Sequence, residues 1–207
     1  MKRLQEKNIN TPEEYDRIFH LRSFNEPHWQ DVRRWKAMMK YYRGGNVLDI
    51  GCLDSQITIM ARAMDPSTDV VGTDVASEAV EEMRWKYPDI TFLVDDIYKT
   101  ELPRAYFSYV CMGEVIEHLE RPEEAIQMAI SLVKPGGMLV ISTPYKEEVE
   151  PGAVDKDRHL WSFDRQSIED MTYQASGYGT VKFKILRSRY FPYQYCFPQM
   201  IAYCKIN

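Results

Sequence analysis

The spacing of apolar residues changes in an orderly way along the chain, from a helical period near the N-terminus to short apolar runs farther on. Residues 11–14 place a threonine before a proline and two acids, a combination that starts helices. A second helix is predicted over residues 26–42, because large apolar residues recur there at helical spacing and a glycine pair follows. These apolar residues are Trp29, Val32, Trp35, Met38 and Met39.

Beyond residue 45, apolar runs of strand length alternate with amphipathic stretches of helix length. The pattern predicts strands over residues 46–50, 69–73, 90–94, 106–112 and 137–143. It predicts helices over residues 56–64, 77–86 and 122–133. Strands separated by helices favour right-handed parallel crossovers, so the sequence predicts a doubly wound α/β sheet.

The alternation ends after Pro144. Residues 145–160 are charged and too many for a plain connector, so we predict a lid. A helix over residues 163–176, capped by Ser162 or Asp164, and strands over 181–186 and 200–206 complete the chain. The aromatic stretch 190–198 suits either a substrate entrance or a dimer interface, and both interpretations stay open.

Composition narrows the class of protein. A chain of 207 residues, 44% hydrophobic and 28% charged, suits one globular domain. We divide it into an N-terminal helical cap (1–44), a core (45–144) and a C-terminal part (145–207). A net charge of -5 disfavours nucleic acid as a partner, and no apolar run or leader indicates membrane insertion or targeting. Four cysteines far apart in sequence favour a reduced, cytoplasmic protein.

Residues 47–55, followed by Asp74, carry the most information about a ligand. A buried strand that turns at Gly51 into a helix leaves amides free at the helix N-terminus, and an acid after the next strand can accept ribose hydroxyls. The sequence therefore predicts a nucleoside-containing cofactor. Leu53 and Ser55 stand where such turns usually carry further glycines. Either the turn avoids a positive φ at Leu53, or cofactor affinity suffers.

Five segments together resemble class I S-adenosylmethionine-dependent methyltransferases in order and spacing, over about residues 45–206. They are the turn at 47–55, Asp74, and residues 92–97, 113–119 and 133–144. The Glu-Val-Ile-Glu-His and Lys-Pro-Gly-Gly stretches in the last two are similar to the ubiquinone-biosynthesis O-methyltransferase branch (methyltransferase type 11/12). The resemblance implies a Rossmann-like methyltransferase fold: an α/β, doubly wound, seven-stranded, mostly parallel sheet with an antiparallel C-terminal strand and N-terminal helices.

The resemblance also implies S-adenosyl-L-methionine as the cofactor and a set of residues that bind it. Asp49 and Gly51 would face the cationic methionine end, and Asp96 matches the position that contacts the adenine amino group, with Asp95 as the alternative. The full set is Asp49, Gly51, Cys52, Asp74, Val75, Asp96, Ile97, Gly113 and Glu114. We interpret Lys134-Pro135-Gly136-Gly137 as a structural turn.

Glu114, Glu117 and His118, with His159 downstream, form the second candidate site. Glu114 follows a predicted strand at the sheet edge where α/β proteins bind ligands. Glu117 and His118 follow three and four residues later, a spacing that puts them on one face of any helical turn. Carboxylates and imidazoles suit a divalent ion such as Mg, Mn or Zn. RNA 3′-terminal 2′-O-methyltransferases carry a similar motif, and that resemblance implies all four residues as metal ligands. Metal-free relatives carry it too, so the metal stays open.

We expect methyl transfer to a small-molecule acceptor, at oxygen, with His118 or His159 as the base and Glu117 in support. Metal-dependent 2′-O-methylation of an RNA 3′ end is an alternative that the acidic composition disfavours. A non-catalytic cofactor-binding or interaction protein is another, suggested by Leu53 and Ser55. The acceptor's identity and a homodimeric state stay open.

Overall fold

The computed structural model describes residues 1–21, 29–53, 56–147, 158–177, 179–187 and 198–207. Most of the predicted lid and of the aromatic stretch 190–198, together with Ser55 and Cys196, lies outside the described residues. The helices are α1 (Pro12–Leu21), α2 (Trp29–Met38), α3 (Gln56–Met64), α4 (Ser77–Lys86), α5 (Pro122–Leu132) and α6 (Arg165–Ser176). The strands are β1 (Lys2–Arg3), β2 (Val47–Ile50), β3 (Val70–Asp74), β4 (Thr91–Val94), β5 (Phe107–Gly113), β6 (Val133–Pro144), β7 (Trp161–Ser162), β8 (Gly179–Leu186) and β9 (Gln199–Ile206).

Within the described residues, seven strands form one sheet in the order β4-β3-β2-β5-β6-β9-β8. Strands β2 to β6 run parallel, and β9 is antiparallel to both of its neighbours, β6 and β8. The predicted doubly wound, mostly parallel sheet with an antiparallel C-terminal strand is therefore confirmed. Strands β1 and β7 pair separately, far apart in sequence.

The central strands are apolar on both faces because helices cover both sides of the sheet. Val47 of β2 and Tyr109 of β5 pack on one side, while Leu48 and Val110 pack on the other. All four side chains are buried. Helices α2, α3 and α4 contribute to the first of these cores, and α5 and α6 contribute to the second. None of the described helices combines the length and apolar character that crossing a membrane requires.

Two buried tyrosines fix α2 against the sheet. The Tyr109 hydroxyl donates to the Met38 carbonyl at 2.5 Å, and the Tyr203 hydroxyl donates to the Ala37 carbonyl at 2.6 Å. Both bonds join the C-terminal turn of the helix to the sheet, one to β5 and one to β9, so they fix the position of α2 on the first core. The preceding turn of α2 consequently lies over the carboxyl ends of β2 and β5.

The predicted elements differ from the observed ones mainly at their ends. The helix predicted to reach residue 42 changes at Met38 into a 3₁₀ turn over Met39–Tyr41. The helix predicted from Phe163 begins instead at Arg165, because Phe163 is extended and bridges Tyr145. Asp164 caps it, accepting from the Ser167 amide at 2.9 Å in a capping box. Strand β6 begins at Val133, earlier than predicted, and the β1–β7 pair was not predicted.

Candidate functional site

The turn after β2 requires glycine at Gly51. Its φ is +70°, and a Cβ there would overlap the Val115 side chain. The amides of Gly51 and Cys52 both donate to the Thr73 carbonyl, at 2.8 and 2.9 Å. These bonds tie the turn to the end of the neighbouring strand, β3. The backbone of the turn therefore stays at the carboxyl edge of the sheet, where a ligand can approach it closely.

Asp74, the predicted ribose-binding acid, organises the same turn. Its Oδ2 accepts from the Leu53 amide and its Oδ1 accepts from the Ala76 amide, both at 2.9 Å. Burial raises the pKa of this carboxyl, and the backbone amides oppose that shift. A carboxylate has about four lone-pair positions, so acceptor capacity remains for hydroxyl groups. Leu53 does adopt a positive φ, +31°, so the turn does not avoid the conformation that its sequence disfavours.

A cavity of about 120 Å³ opens beside this turn. It is lined from the sheet by the ends of β2 and β5 and by the turn, and from above by α2, which supplies Arg34, Trp35 and Met38. Of the predicted cofactor-binding residues, the lining includes Asp49, Gly51, Cys52, Gly113 and Glu114. Since ligand pockets usually enclose about 300–1,000 Å³, this cavity fits one end of a nucleoside cofactor. Asp74 and Asp96 are not in the lining, so the cavity is separate from the acids predicted to contact the adenosine.

Arg34 brings a positive charge into the cavity. Its guanidinium lies 3.1 Å from an Asp31 carboxylate oxygen and 3.5 Å from a Glu114 oxygen, and only 13% of its side chain is exposed. An arginine so placed can pair with the carboxylate of a bound amino-acid moiety. Nothing in the sequence distinguishes Arg34 from the other basic residues of this helix.

We expect Arg34→Ala to weaken S-adenosylmethionine binding roughly 10- to 100-fold, the loss typical of one charge-assisted hydrogen bond. Calorimetric titration measures the dissociation constant. Lys36→Ala is the matched control. Lys36 is an exposed residue of the same helix, and its substitution removes the same charge. Equal affinities in the two variants would show that Arg34 does not contact the ligand.

The remaining predicted cofactor residues lie farther along the sheet edge. Val75 is partly buried, whereas Ile97 is 7% exposed and packs in the second core. Asp96 accepts from the Tyr98 amide at 3.0 Å and lies 3.4 Å from the Lys99 ammonium. Asp95 is half-buried, as Asp96 is, and burial raises the pKa of Asp95. An adenine contact by either acid stays a prediction.

Glu117, His118 and His159 meet in a second site at the same edge of the sheet. One ligand atom from each lies within 4.8 Å of the others, and the two imidazole centroids are 4.9 Å apart. A 3₁₀ turn over Ile116–His118 presents the first two residues. The Leu160 amide donates to the Glu117 carbonyl at 2.7 Å, which holds His159 beside this turn. The structure thus brings together three of the four residues of the predicted constellation.

Glu117 has unusual electrostatics. Its side chain is fully buried, and among the described residues neither carboxyl oxygen has a hydrogen-bond partner. Burial, and then the charge of Glu114, raise its pKa to about 8, while the nearby His159 opposes the shift. An uncompensated buried carboxyl is costly to a fold, so it points to a functional site.

Glu114 is not in this group. Its φ is +55°, and its carboxylate turns toward the cavity, where it accepts from the Ser142 hydroxyl at 2.9 Å and from the Gln199 amide at 3.0 Å. These bonds, with Arg34 nearby, place Glu114 with the predicted cofactor residues. The structure therefore brings together three of the four predicted metal ligands and leaves Glu114 apart from them.

The N-terminal segment covers the site, which the sequence did not indicate. The Asn10 amide donates to the His118 carbonyl at 3.2 Å and to the Arg158 carbonyl at 3.1 Å. Tyr15 donates to Asn10, and the edge of its ring faces His118. Burial, with the charges of Glu117 and Asp74, raises the pKa of Tyr15. The two sites are therefore neighbours, with Tyr15 near both.

The sheet is parallel with one inserted antiparallel strand, a glycine turn is followed by an acid after the next strand, and a cavity lies beside that turn. These features are those of the Rossmann-like methyltransferase class. The comparisons agree. A methyltransferase domain family matches residues 26–182, and the chain belongs to that family.

Individual relatives cover parts of the chain. A ubiquinone biosynthesis O-methyltransferase of Proteus mirabilis is 32% identical over 107 residues, which are 48% of this chain and 42% of that protein. The matches span 30% to 49% of the length of the curated relatives.

Solved structures match over more of the chain. A SAM-dependent methyltransferase from Aquifex aeolicus has a TM-score of 0.69 at 16% identity, covering 96% of this chain and all of that one. A phosphoethanolamine N-methyltransferase from Haemonchus contortus has a TM-score of 0.67 at 15% identity, covering 94% of this chain and 56% of that one. At these identities the likeness concerns the fold alone.

Proposed function

We propose that the protein transfers the methyl group of S-adenosylmethionine to a hydroxyl of a small-molecule acceptor. The observation that carries this proposal is the proximity of two sites at one edge of the sheet: a turn organised by Asp74, and a pair of imidazoles, the half-buried His118 and the buried His159. The family membership supports the cofactor. The O-methyltransferase name of the Proteus mirabilis relative supports oxygen as the acceptor atom.

In this proposal, residues at the carboxyl edge of the sheet, from β5 to β3, would hold the cofactor. The Asp74 carboxylate accepts the ribose hydroxyls, and the cavity holds the methionine end. Arg34 pairs with the methionine carboxylate, while Asp49 and Glu114 face its cationic groups. Glu114, which would face those cationic groups, lies three residues along the chain from Glu117.

The protein does not need to activate the methyl group, because the positive charge on the cofactor sulfur would already do so. The site aligns an acceptor oxygen opposite the departing sulfur and keeps water out. An imidazole of the His118–His159 pair takes the hydroxyl proton. Such base catalysis typically contributes about 10²- to 10⁴-fold to the rate.

The experiment is methyl transfer from S-adenosylmethionine, labelled on its methyl group, to a panel of matched phenols, alcohols and amines. We expect transfer to hydroxyl acceptors and loss of turnover in His118→Ala and His159→Ala, with S-adenosylmethionine affinity retained. Transfer to amines alone would overturn the choice of acceptor atom. An equal loss of turnover and of cofactor affinity in both variants would overturn the role of the imidazoles.

Metal binding at the same group is a second candidate, because three ligand atoms converge and, in the part of the chain that the structure describes, the Glu117 oxygens accept no hydrogen bond. Glu117, His118 and His159 would hold the ion. Two imidazoles and one carboxylate suit Mn, Fe or Zn better than Mg or Ca. A bound ion would supply a positive charge that lowers the pKa of an acceptor hydroxyl, including a ribose 2′-hydroxyl at an RNA end.

If the group binds a metal, Mn²⁺ or Zn²⁺ is expected to raise the thermal midpoint of the wild type but not that of Glu117→Gln. Glu114→Gln is the matched control, because its carboxylate lies with the cofactor residues, and this variant should respond like the wild type. No ion-dependent shift in the wild type contradicts the metal site. Loss of the shift in Glu114→Gln as well would restore the four-residue set. Chelator-sensitive methylation of an RNA 3′ end would favour RNA as the acceptor.

A further inference from the structure

A buried carboxylate that the sequence did not single out lies against one of the two imidazoles. Glu147 follows the end of β6 and is 2% exposed. Its Oε2 lies 2.6 Å from Nδ1 of His159, which is itself 8% exposed. Nδ1 of the other imidazole, His118, lies 3.3 Å from the Arg158 carbonyl oxygen.

These partners decide which nitrogen carries the proton in each ring. A carboxylate and a carbonyl oxygen only accept hydrogen bonds, so Nδ1 is the donor in both imidazoles. In the neutral rings the lone pair then lies on Nε2. Among the described residues, the Nδ1–H group of His159 faces the Glu147 carboxylate, and that of His118 faces the Arg158 backbone carbonyl.

The backbone around Glu147 and His159 is built to bring them together. Each is preceded by a non-glycine residue of positive φ, Lys146 at +53° and Arg158 at +63°. The Lys146 amide donates to the Phe163 carbonyl at 2.9 Å, and the Leu160 amide donates to the Glu117 carbonyl at 2.7 Å. Non-glycine residues in this conformation are strained and persist where the surrounding structure holds them, often at functional sites.

We propose that Glu147 is a positioning residue that orients His159, fixes its Nδ1–H tautomer and thereby makes His159, rather than His118, the imidazole that receives the acceptor's proton. The inference rests on the proposed function. In the transfer step, the acceptor oxygen forms a bond to the methyl carbon, and the electron pair of the carbon–sulfur bond stays on sulfur. The hydroxyl proton passes to Nε2 of His159, and the Glu147 carboxylate stabilises the resulting imidazolium.

The kinetic test compares Glu147→Ala and Glu147→Gln with the exposed control Glu101→Gln. With saturating S-adenosylmethionine, we expect kcat to fall about 100-fold or more in Glu147→Ala. Glu147→Gln should retain part of kcat, because an amide oxygen can still accept from Nδ1–H but carries no charge. Dissociation constants for S-adenosylmethionine should stay within about twofold of the wild type, since Glu147 is not in the cavity lining.

The spectroscopic test uses ¹⁵N-labelled imidazoles, with the His159 signals assigned by comparison with His159→Asn. We expect the Nδ1–H tautomer of His159 in the wild type and in Glu147→Gln, and a mixture in Glu147→Ala. An unchanged tautomer and an unchanged kcat in Glu147→Ala overturn the inference. So does a His159→Asn variant that turns over like the wild type while His118→Ala does not.

The experiments distinguish a failure of the proposed function from a failure of the role inferred for Glu147. Without transfer by the wild type to any acceptor, the proposed function and the base role fall together, and the ¹⁵N spectra still decide whether Glu147 fixes the His159 tautomer. If the wild type is active, the turnover of the histidine variants shows which imidazole receives the proton. Thermal denaturation of each variant confirms that it is folded, and Glu147→Gln keeps the comparison possible if Glu147→Ala does not fold.

Discussion

Glu117→Gln is expected to gain stability relative to the wild type as the pH rises from about 5 to 8. Burial raises the pKa of Glu117 from its ordinary 4.5 to about 8 in the folded protein. Between these values the folded state holds a proton that the unfolded state has released. The stability contributed by the protonated carboxyl is therefore complete below pH 4.5 and is lost as the pH rises to about 8, by about 1.4 kcal/mol per pH unit.

Urea denaturation at pH 5, 6, 7 and 8, in the presence of a chelator, measures this effect. The difference in unfolding free energy between Glu117→Gln and the wild type should grow with pH, whereas Glu101→Gln, which changes an exposed carboxylate, should run parallel to the wild type. Parallel curves for Glu117→Gln would mean that Glu117 ionises normally. In that case the Glu117 carboxyl would not be buried in this way in the protein in solution.

Gly51→Ala is expected to destabilise the protein by about 2–5 kcal/mol and to abolish cofactor binding. An alanine there adopts a left-handed conformation, at about 1–2 kcal/mol, and its methyl group overlaps the Val115 side chain, at about 1–3 kcal/mol more. Relief of that overlap moves the turn whose amides hold Thr73. The cofactor would therefore lose its binding surface along with the stability of the turn.

Gly136→Ala separates the two contributions. Gly136 has a similar φ, +77°, but a Cβ there meets nothing within 4 Å. This variant should lose only about 1–2 kcal/mol and bind S-adenosylmethionine like the wild type. Urea denaturation and calorimetry measure both quantities. Equal losses of stability in the two variants would show that backbone strain alone, and not close packing at the turn, requires glycine at position 51.

The sheet was predictable because burial on both faces leaves a direct trace in sequence. The apolar runs that form β2 and β5 are covered by helices on both faces, so their apolar composition predicted buried strands. Asp74 and Gly51 were predictable for a similar reason, since strand, turn and acid follow one another at short range. Element ends were less certain because tertiary contacts set them, as the bridge between Phe163 and Tyr145 shows.

Much of the second site depends on contacts that sequence spacing does not encode. Asn10 binds the His118 carbonyl across 108 positions of the chain, and β1 pairs with β7. Glu147 stands among several acids in a charged stretch, and no periodicity distinguishes it from its neighbours. Its hydrogen bond to His159 follows from backbone turns at Lys146 and Arg158, two residues that do not favour positive φ.

Glu114 and Leu53 show what local structure adds at two points that the sequence left open. The spacing of Glu114 from Glu117 suggested a shared ligand set, but a positive φ at Glu114 directs its carboxylate to Ser142 instead. Leu53 was expected to avoid a positive φ or to weaken cofactor binding. It adopts the positive φ and donates its amide to Asp74, so the turn forms despite the missing glycine. Its effect on affinity stays a prediction.

Calorimetric titration with S-adenosylmethionine tests the central claim most directly, because both proposed functions depend on a cofactor held by the Asp74 turn. We expect the wild type to bind with a dissociation constant of about 1–100 µM. Asp74→Asn should bind at least roughly tenfold more weakly, because an amide loses acceptor capacity for the ribose and the backbone. The exposed control Asp89→Asn should bind like the wild type. No binding by the wild type at about 1 mM cofactor would contradict the account.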